Sequence, residues 1–317
     1  MIQTRALVKR YGTFTAVDGI DLHVRAGEIY GFLGPNGAGK TSTIMMLLGI
    51  TRPTSGDVLL FGERYTSRRV HLRRRIGVVP EKHPRGVWPW MTAEDYLRFF
   101  AELFDVPRPQ ERIEALLKKV DLHTVRNTRI REFSRGMLQK LSFTRAILHD
   151  PDVLLLDEPI SGLDPLGIQQ VRDLIVSENR EGRSIVISSH QLSEMERICH
   201  RVAIISRGRL LTEDTMEHLV ARLFHEREIQ VEVEQVPPGL APLLEKLPSV
   251  LGCAVHENTL VITVPRQGDY RKPISEFLIS RGLVPLRIQE RMVSLEEAFV
   301  TITQENIGSL VNGGDRR

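Results

Sequence analysis

The sequence predicts an α/β protein with a parallel sheet, followed by a smaller α+β domain, and three stretches carry that expectation. Gly27 to Leu33 reads as a strand running into a glycine-rich loop, and the apolar segment from Ser42 to Gly49 reads as the helix behind it. From Asp152 the pattern becomes strand, helix, strand, with Val153 to Leu156, Gly167 to Asn179 and Ser184 to Ser188 as the elements. Past Leu223, Ile229, Val231 and Val233 alternate with Gln230, Glu232 and Glu234, the pattern of a half-buried strand in a new domain.

A chain of 317 residues suits one large domain and one small appendage. Its 41% hydrophobic and 26% charged residues are those of an ordinary globular protein. No apolar run approaches the ~18 residues of a membrane-spanning helix, so any membrane role is expected to need a partner. Met1 to Arg5 lacks secretory-signal character, and a cytoplasmic location is expected. Cys199 and Cys253 stand far apart with no Cys or His at metal-ligand spacing, which argues against zinc and reads as two small core residues. A net charge of +3 is small for a protein that grips nucleic acid through phosphates, and no nucleic-acid partner is expected. Arg68, Arg69, Arg73, Arg74 and Arg75 form the one basic concentration. It reads first as a solvated helix face and second as a dock for an acidic partner or lipid head groups.

The remaining elements follow in order. Arg5 to Val24 reads as strands with a turn at Tyr11-Gly12. Thr92 to His149 reads as mostly helical, with Tyr96, Leu97, Phe100, Leu103 and Phe104 on one face and Leu116, Leu117 and Val120 on another. Trp88 and Trp90 precede it, beside Met91, as partner anchors or as core. The last part reads as strand 228–235, helix 240–247, strands 250–256 and 259–264, helix 269–281 and strand 285–290, the order of a ferredoxin-like split βαβ fold. A helix from Ser294 to Thr303 opens with a capping box, Ser294 and Glu297, and a flexible tail is expected over 304–317.

Gly34-Pro35-Asn36-Gly37-Ala38-Gly39-Lys40-Thr41 matches G-x-x-x-x-G-K-[ST] between a predicted strand and a predicted helix. Glycines let the backbone N–H groups point at a β-phosphate, and the helix adds its positive end. Lys40 would reach the β- and γ-phosphates, Thr41 would ligate Mg²⁺, and Ser42 would donate to the α-phosphate. Val153 to Leu156 ends in Asp157-Glu158, which places two carboxylates at the C-terminal edge of a buried strand. Asp157 would hold Mg²⁺, and Glu158 would take a proton from the attacking water.

Between these motifs lies Phe133-Ser134-Arg135-Gly136-Met137-Leu138-Gln139-Lys140, and with it the first 224 residues resemble the ABC ATPases, Phe133 to Lys140 being a divergent signature. The resemblance implies a P-loop NTPase ABC cassette over 1–224, with a parallel-sheet core, an antiparallel β subdomain and a helical signature subdomain. It implies Tyr11 as the aromatic on adenine, Ser161-Gly162-Leu163-Asp164 as the D-loop and His190, after Ser188-Ser189, as the switch histidine at the γ-phosphate. Two ATP molecules would lie between two copies of the cassette, with Ser134 and the Gly136 N–H capping the partner's γ-phosphate, so a homodimer is expected.

Three positions depart from the commonest family pattern. Ile76-Gly77-Val78-Val79-Pro80-Glu81 puts a carboxylate where the family has an amide, so Glu81 would face Mg²⁺ and the attacking water without an amide donor. Arg135 replaces a glycine and Met137 a glutamine. These variants, with Ser294-Leu295-Glu296-Glu297-Ala298-Phe299, are similar to two-component exporter ATPases of the daunorubicin-resistance and sodium-extrusion kind. That branch implies a separate transmembrane permease, peripheral attachment to the inner face of the membrane through it, and a dimerisation or regulatory role for 225–303. The rival is a soluble ABC ATPase acting on ribosomes or DNA, whose usual second cassette or coiled-coil insert is missing here. A simple P-loop kinase does not account for the signature.

Overall fold

Two strands joined across Gly12 open the chain: β1 (Ile2–Tyr11) and β2 (Phe14–Ile20) form an antiparallel hairpin whose last pair is Tyr11 and Phe14. β3 (His23–Val24) pairs with the start of β1, and β4 (Ile29–Leu33) and α1 (Lys40–Leu47) follow. β5 (Ser55–Leu60) and β6 (Glu63–Arg64) return to β1, which makes an antiparallel sheet of order β2-β1-β5-β6 with β3 beside β1. This computed structural model describes residues 1–66, 69–81, 88–223, 226–265 and 268–291.

The chain continues through α2 (Val70–Arg73), β7 (Ile76–Val79), α3 (Ala93–Leu103), α4 (Pro109–Lys119), α5 (Arg135–Ile147), β8 (Val153–Asp157), α6 (Pro165–Arg180), β9 (Ser184–Ser189), α7 (Leu192–Glu196), β10 (Arg201–Ser206) and β11 (Arg209–Thr215). Its second sheet has the order β11-β10-β4-β9-β8-β7, parallel throughout except at the β10–β11 hairpin. Every residue of β4, β8 and β9 is buried, which is why these strands are apolar runs rather than alternating ones. The shared core holds Tyr30, Phe32, Ile44, Leu47, Leu155, Val186 and Ile205.

In the helical stretch Thr92 caps α3 by accepting from the Asp95 N–H at 3.1 Å, and Tyr96, Leu97 and Ala101 face inward. Leu103 does not share that face and is 60% exposed. At about 100° per residue it falls roughly 90° from the centre of the buried stripe. Trp88 packs in an aromatic cluster with Tyr96, Phe99 and Phe100, whereas Trp90 is 66% exposed. Among the arginines around α2, Arg69 pairs with Glu63, Arg74 with Asp105 and Arg75 with Asp152, all exposed pairs on a solvated surface; Arg68 lies outside the described residues.

The chain divides into two compact units, Met1–Met216 and Glu217–Arg317. After α8 (Met216–Leu223), the second unit runs β12 (Glu226–Glu232), α9 (Leu240–Leu244), β13 (Gly252–His256), β14 (Thr259–Pro265), α10 (Arg271–Ser280) and β15 (Arg287–Arg291). Its antiparallel sheet has the order β13-β14-β12-β15, and Ile229, Val231, Leu244, Leu260, Ile262, Ile274 and Leu278 form its own core. The predicted helix 294–303 and the tail lie outside the described residues. Cys199 is buried within the first unit, and Cys253 is partly buried against this small core. Burial pushes both thiols up, that of Cys253 to about 11, so neither is a reactive thiolate.

Candidate nucleotide site

β4 ends at Leu33, α1 starts at Lys40, and the loop between them is shaped by Gly37 and Gly39, at φ 80° and 107°. Gly39 admits no side chain, because a Cβ there would sit 2.4 Å from the Ala16 carbonyl oxygen. Lys40 is 6% exposed, and its Nζ donates to the carbonyls of Gly34 at 2.6 Å and Pro35 at 3.3 Å. The same ammonium lies 3.2 Å from Oε1 of Glu158, an ion pair whose alignment is not that of a hydrogen bond.

β8 and β9 pair in register, with Asp157 opposite Ser188. The Ser188 hydroxyl donates to Oδ1 of Asp157 at 2.5 Å and accepts from the Glu158 N–H at 3.0 Å, so one serine sets both acids. Glu158 has φ 49°, a strained conformation for a residue with a Cβ, held by that bond and by a second one to the Ser188 carbonyl at 3.2 Å. Nδ1 of His190 lies 2.9 Å from Oε2 of Glu158.

These parts meet at a cleft of about 370 Å³ lined by Tyr11, Phe14, Ala16, residues 36–42, Glu81 and Glu158. Asp157 is not among the residues that line it and is almost wholly buried. A hydroxyl and carboxylates, all hard oxygen donors, suit Mg²⁺ in kind. Phe14, 62% exposed and across the hairpin from Tyr11, was not legible as a site residue; its only signal was an aromatic just past the Tyr11-Gly12 turn.

The signature lines a different cleft, of about 410 Å³, together with Gly162, Leu163 and Asp164. Ser134 caps α5 by accepting from the Met137 N–H at 3.2 Å and stays exposed. Asp164 caps α6 by accepting from the Gly167 N–H at 2.9 Å. The two clefts share no lining residue: Ser134 lines one and Lys40 the other.

A parallel sheet whose inner strand feeds a phosphate loop, beside a strand ending in paired acids, defines a P-loop nucleoside triphosphatase. The family model for ABC transporters matches residues 17–161. The bacitracin transport ATP-binding protein BcrA of Bacillus licheniformis is 37% identical over 303 residues, 95% of this chain and 97% of that protein. The Nod factor export ATP-binding protein I of Burkholderia thailandensis is 36% identical over 310 residues, 95% of this chain and 96% of the relative. A solved ATP-binding subunit of an ABC transporter superposes with a TM-score of 0.64 at 28% identity, covering 71% of this chain and 93% of that one. The chain belongs to the ABC transporter ATP-binding proteins. It binds ATP as an ABC-type transport ATPase, and ATP-binding subunits of this family work with permease subunits. Among the described residues no helix is long and apolar enough to cross a membrane.

Proposed function

We propose that this chain is the ATP-hydrolysing motor of an exporter, working as a homodimer on a separate transmembrane permease at the cytoplasmic face of the membrane. Relatives along nearly the whole chain are named for bacitracin transport and Nod factor export, which supports the exporter reading. The observation that carries the dimer is the separation of the two clefts: phosphate loop and acids line one, signature and D-loop the other. Each is half of an ATP site, and a two-fold axis would join both halves twice.

In this reading Tyr11 covers the adenine, Gly34 to Gly39 present N–H groups to the phosphates, and Lys40 and Ser42 complete the grip. Thr41 and Asp157, with Glu81 beside them, would hold Mg²⁺, which when bound neutralises charge on the phosphate oxygens. Glu158 takes the proton of the attacking water, and His190 positions that carboxylate and meets the γ-phosphate. From the partner, the Ser134 hydroxyl and Gly136 N–H cap the γ-phosphate, flanked by Arg135, Met137 and the D-loop residues Ser161 and Asp164. Hydrolysis removes those contacts and reopens the dimer, the step that would move the permease.

The ATPase domain is read as 1–224 and the small domain as 225–303. The sheet order β13-β14-β12-β15 supports a ferredoxin-like type for the latter, with a role in dimerisation or regulation. The test is Glu158→Gln with saturating Mg-ATP on a sizing column. A stable dimer that ADP does not support is expected, and a monomer under those conditions would sink the reading.

A further inference from the structure

We infer that Arg135 is an additional nucleotide-binding residue: its guanidinium delivers a positive charge to the terminal phosphate of the ATP seated on the partner's phosphate loop. This rests on the dimer reading above. A Cβ built on Gly162 would fall 2.4 Å from Cζ, 2.4 Å from Nη1 and 2.6 Å from Nη2 of Arg135. Three nearly equal distances mean that the flat guanidinium lies face-on over the D-loop glycine. Gly162 has φ +67°, so the D-loop turn itself favours the residue without a side chain, and the exposed guanidinium lies over it.

Held in this way, Arg135 has no hydrogen bond or ion pair among the described residues, although charged groups around it are engaged. Asp164, the carboxylate across the cleft, accepts from the Gly167 N–H; Arg131 lies 3.5 Å from Glu132, and Lys140 3.9 Å from Asp121. The first turn of α5 holds no acidic residue. A cation at the N-terminal end of a helix opposes the helix dipole, and no described residue pairs with Arg135 to offset it. A γ-phosphate reaching Ser134 would do so, because Arg135 is the next residue and lines the same cleft. Five donors in a planar fork suit a phosphate that is present in ATP and absent in ADP. The glycine usual at this position supplies only a backbone N–H, so Arg135 would add charge selectivity for the triphosphate.

The experiment measures ATP-driven dimerisation of full-length Glu158→Gln by analytical ultracentrifugation, alone and combined with Arg135→Ala or Arg135→Lys, at low and high salt. Arg135→Ala is expected to weaken the ATP dimer by roughly 10- to 100-fold, the range for a charge-assisted contact, with a shallower salt dependence. Arg135→Lys is expected to restore part of the loss. ATP affinity of the monomer, measured at dilutions where no dimer forms, is expected to stay within about twofold. Gly162→Ala is expected to weaken the dimer through displacement of the guanidinium, and to add little once Arg135 is Ala, a non-additivity that mere misfolding would not show. Association within twofold of the Glu158→Gln parent, or an unchanged salt slope, overturns the role of Arg135 and leaves the dimer reading standing. A parent that fails to dimerise overturns the dimer reading itself.

Discussion

Glu158 receives His190 through Nδ1, at 2.9 Å, and since a carboxylate can only accept, the proton of that pair sits on Nδ1 of the ring. The tautomer is thereby set, and Nε2 is the nitrogen left to meet a ligand. Glu158 meanwhile touches Lys40 through its other oxygen, so the acid read as the general base bridges the phosphate loop and the histidine.

Glu158→Gln keeps an oxygen that can accept from His190 and removes the site that takes a proton. Turnover is expected to fall by roughly 10²–10⁴-fold, with ATP still bound. His190→Ala is expected to lower kcat as well, and the double variant to be little worse than Glu158→Gln, because the two act as one unit. Steady-state phosphate release measures this. Activity of Glu158→Gln within about tenfold of the parent would remove Glu158 from the role of base.

Much of this site was legible because its parts are contiguous in the chain. Gly34 to Thr41 follows a buried strand, and Asp157-Glu158 ends another, so backbone continuity alone brings the motif to the sheet edge. What escaped the sequence depends on pairings between distant residues. Phe14 looks like any strand aromatic until the hairpin register sets it opposite Tyr11. Arg135 looks like a lost signature glycine until Gly162 is found beneath it. Trp88 and Trp90 are alike in sequence, and only the packing of Phe99 and Phe100 distinguishes the partly buried residue from the exposed one. Leu103 lies off the predicted face because a helix stripe narrower than the apolar pattern leaves one edge of that pattern in solvent.

Tyr11 and Phe14 are both exposed at the mouth of the cleft, a costly place for two aromatic faces unless a flat ligand covers them. Phe14→Ala is expected to weaken ATP binding by about three- to tenfold, the worth of one aromatic contact, and Tyr11→Ala to do the same. Inorganic triphosphate, which lacks the base, is expected to compete equally well in both variants and in the parent. Isothermal titration distinguishes the cases, and equal losses for ATP and triphosphate would place the aromatics away from the adenine.

His149 makes stability depend on pH in a window set by its surroundings. Its ring stacks on Phe104 at 4.2 Å, Nε2 donates to the Ile76 carbonyl at 3.2 Å, and Nδ1 is buried with no hydrogen-bond partner among the described residues. Burial holds its pKa below the ordinary value of 6.5, despite the Ile76 carbonyl and Asp150, with Arg112 and Arg145 acting in the same direction as burial. The unfolded chain takes up a proton near 6.5 that the folded chain refuses until lower pH. Stability from this group is therefore full above about 6.5 and is lost as pH falls through the depressed folded value. Urea midpoints measured between about pH 7.5 and 5.5 are expected to fall more steeply for the parent than for His149→Gln. Identical slopes would show that His149 does not couple folding to pH.

Glu178 clasps two layers of the first unit. It is 1% exposed on α6, yet takes the Lys119 ammonium of α4 at 2.5 Å and lies 2.8 Å from the Arg183 guanidinium. Both cations also reach Glu181, and Arg183 pairs with Asp150, so the charges form a network in which each cation has more than one partner. Removing a fully buried partner usually costs ~3–5 kcal/mol, but Lys119 retains solvent and both cations retain Glu181, which lowers the expectation for Glu178→Ala to about 1–3 kcal/mol. Glu178→Leu, which fills the space without charge, is expected to recover part of that loss. The Lys119 hydrogen bond holds Glu181 below the usual carboxylate range against partial burial, with Arg183 assisting. Its contribution is thus present above about pH 4.5 and is lost as pH falls through the depressed value, so Lys119→Ala is expected to flatten the acid limb of the stability profile. Urea unfolding at neutral and acid pH measures both effects. A loss below about 0.5 kcal/mol in Glu178→Ala would mean that Glu178 adds no net stability to the contact between α4 and α6.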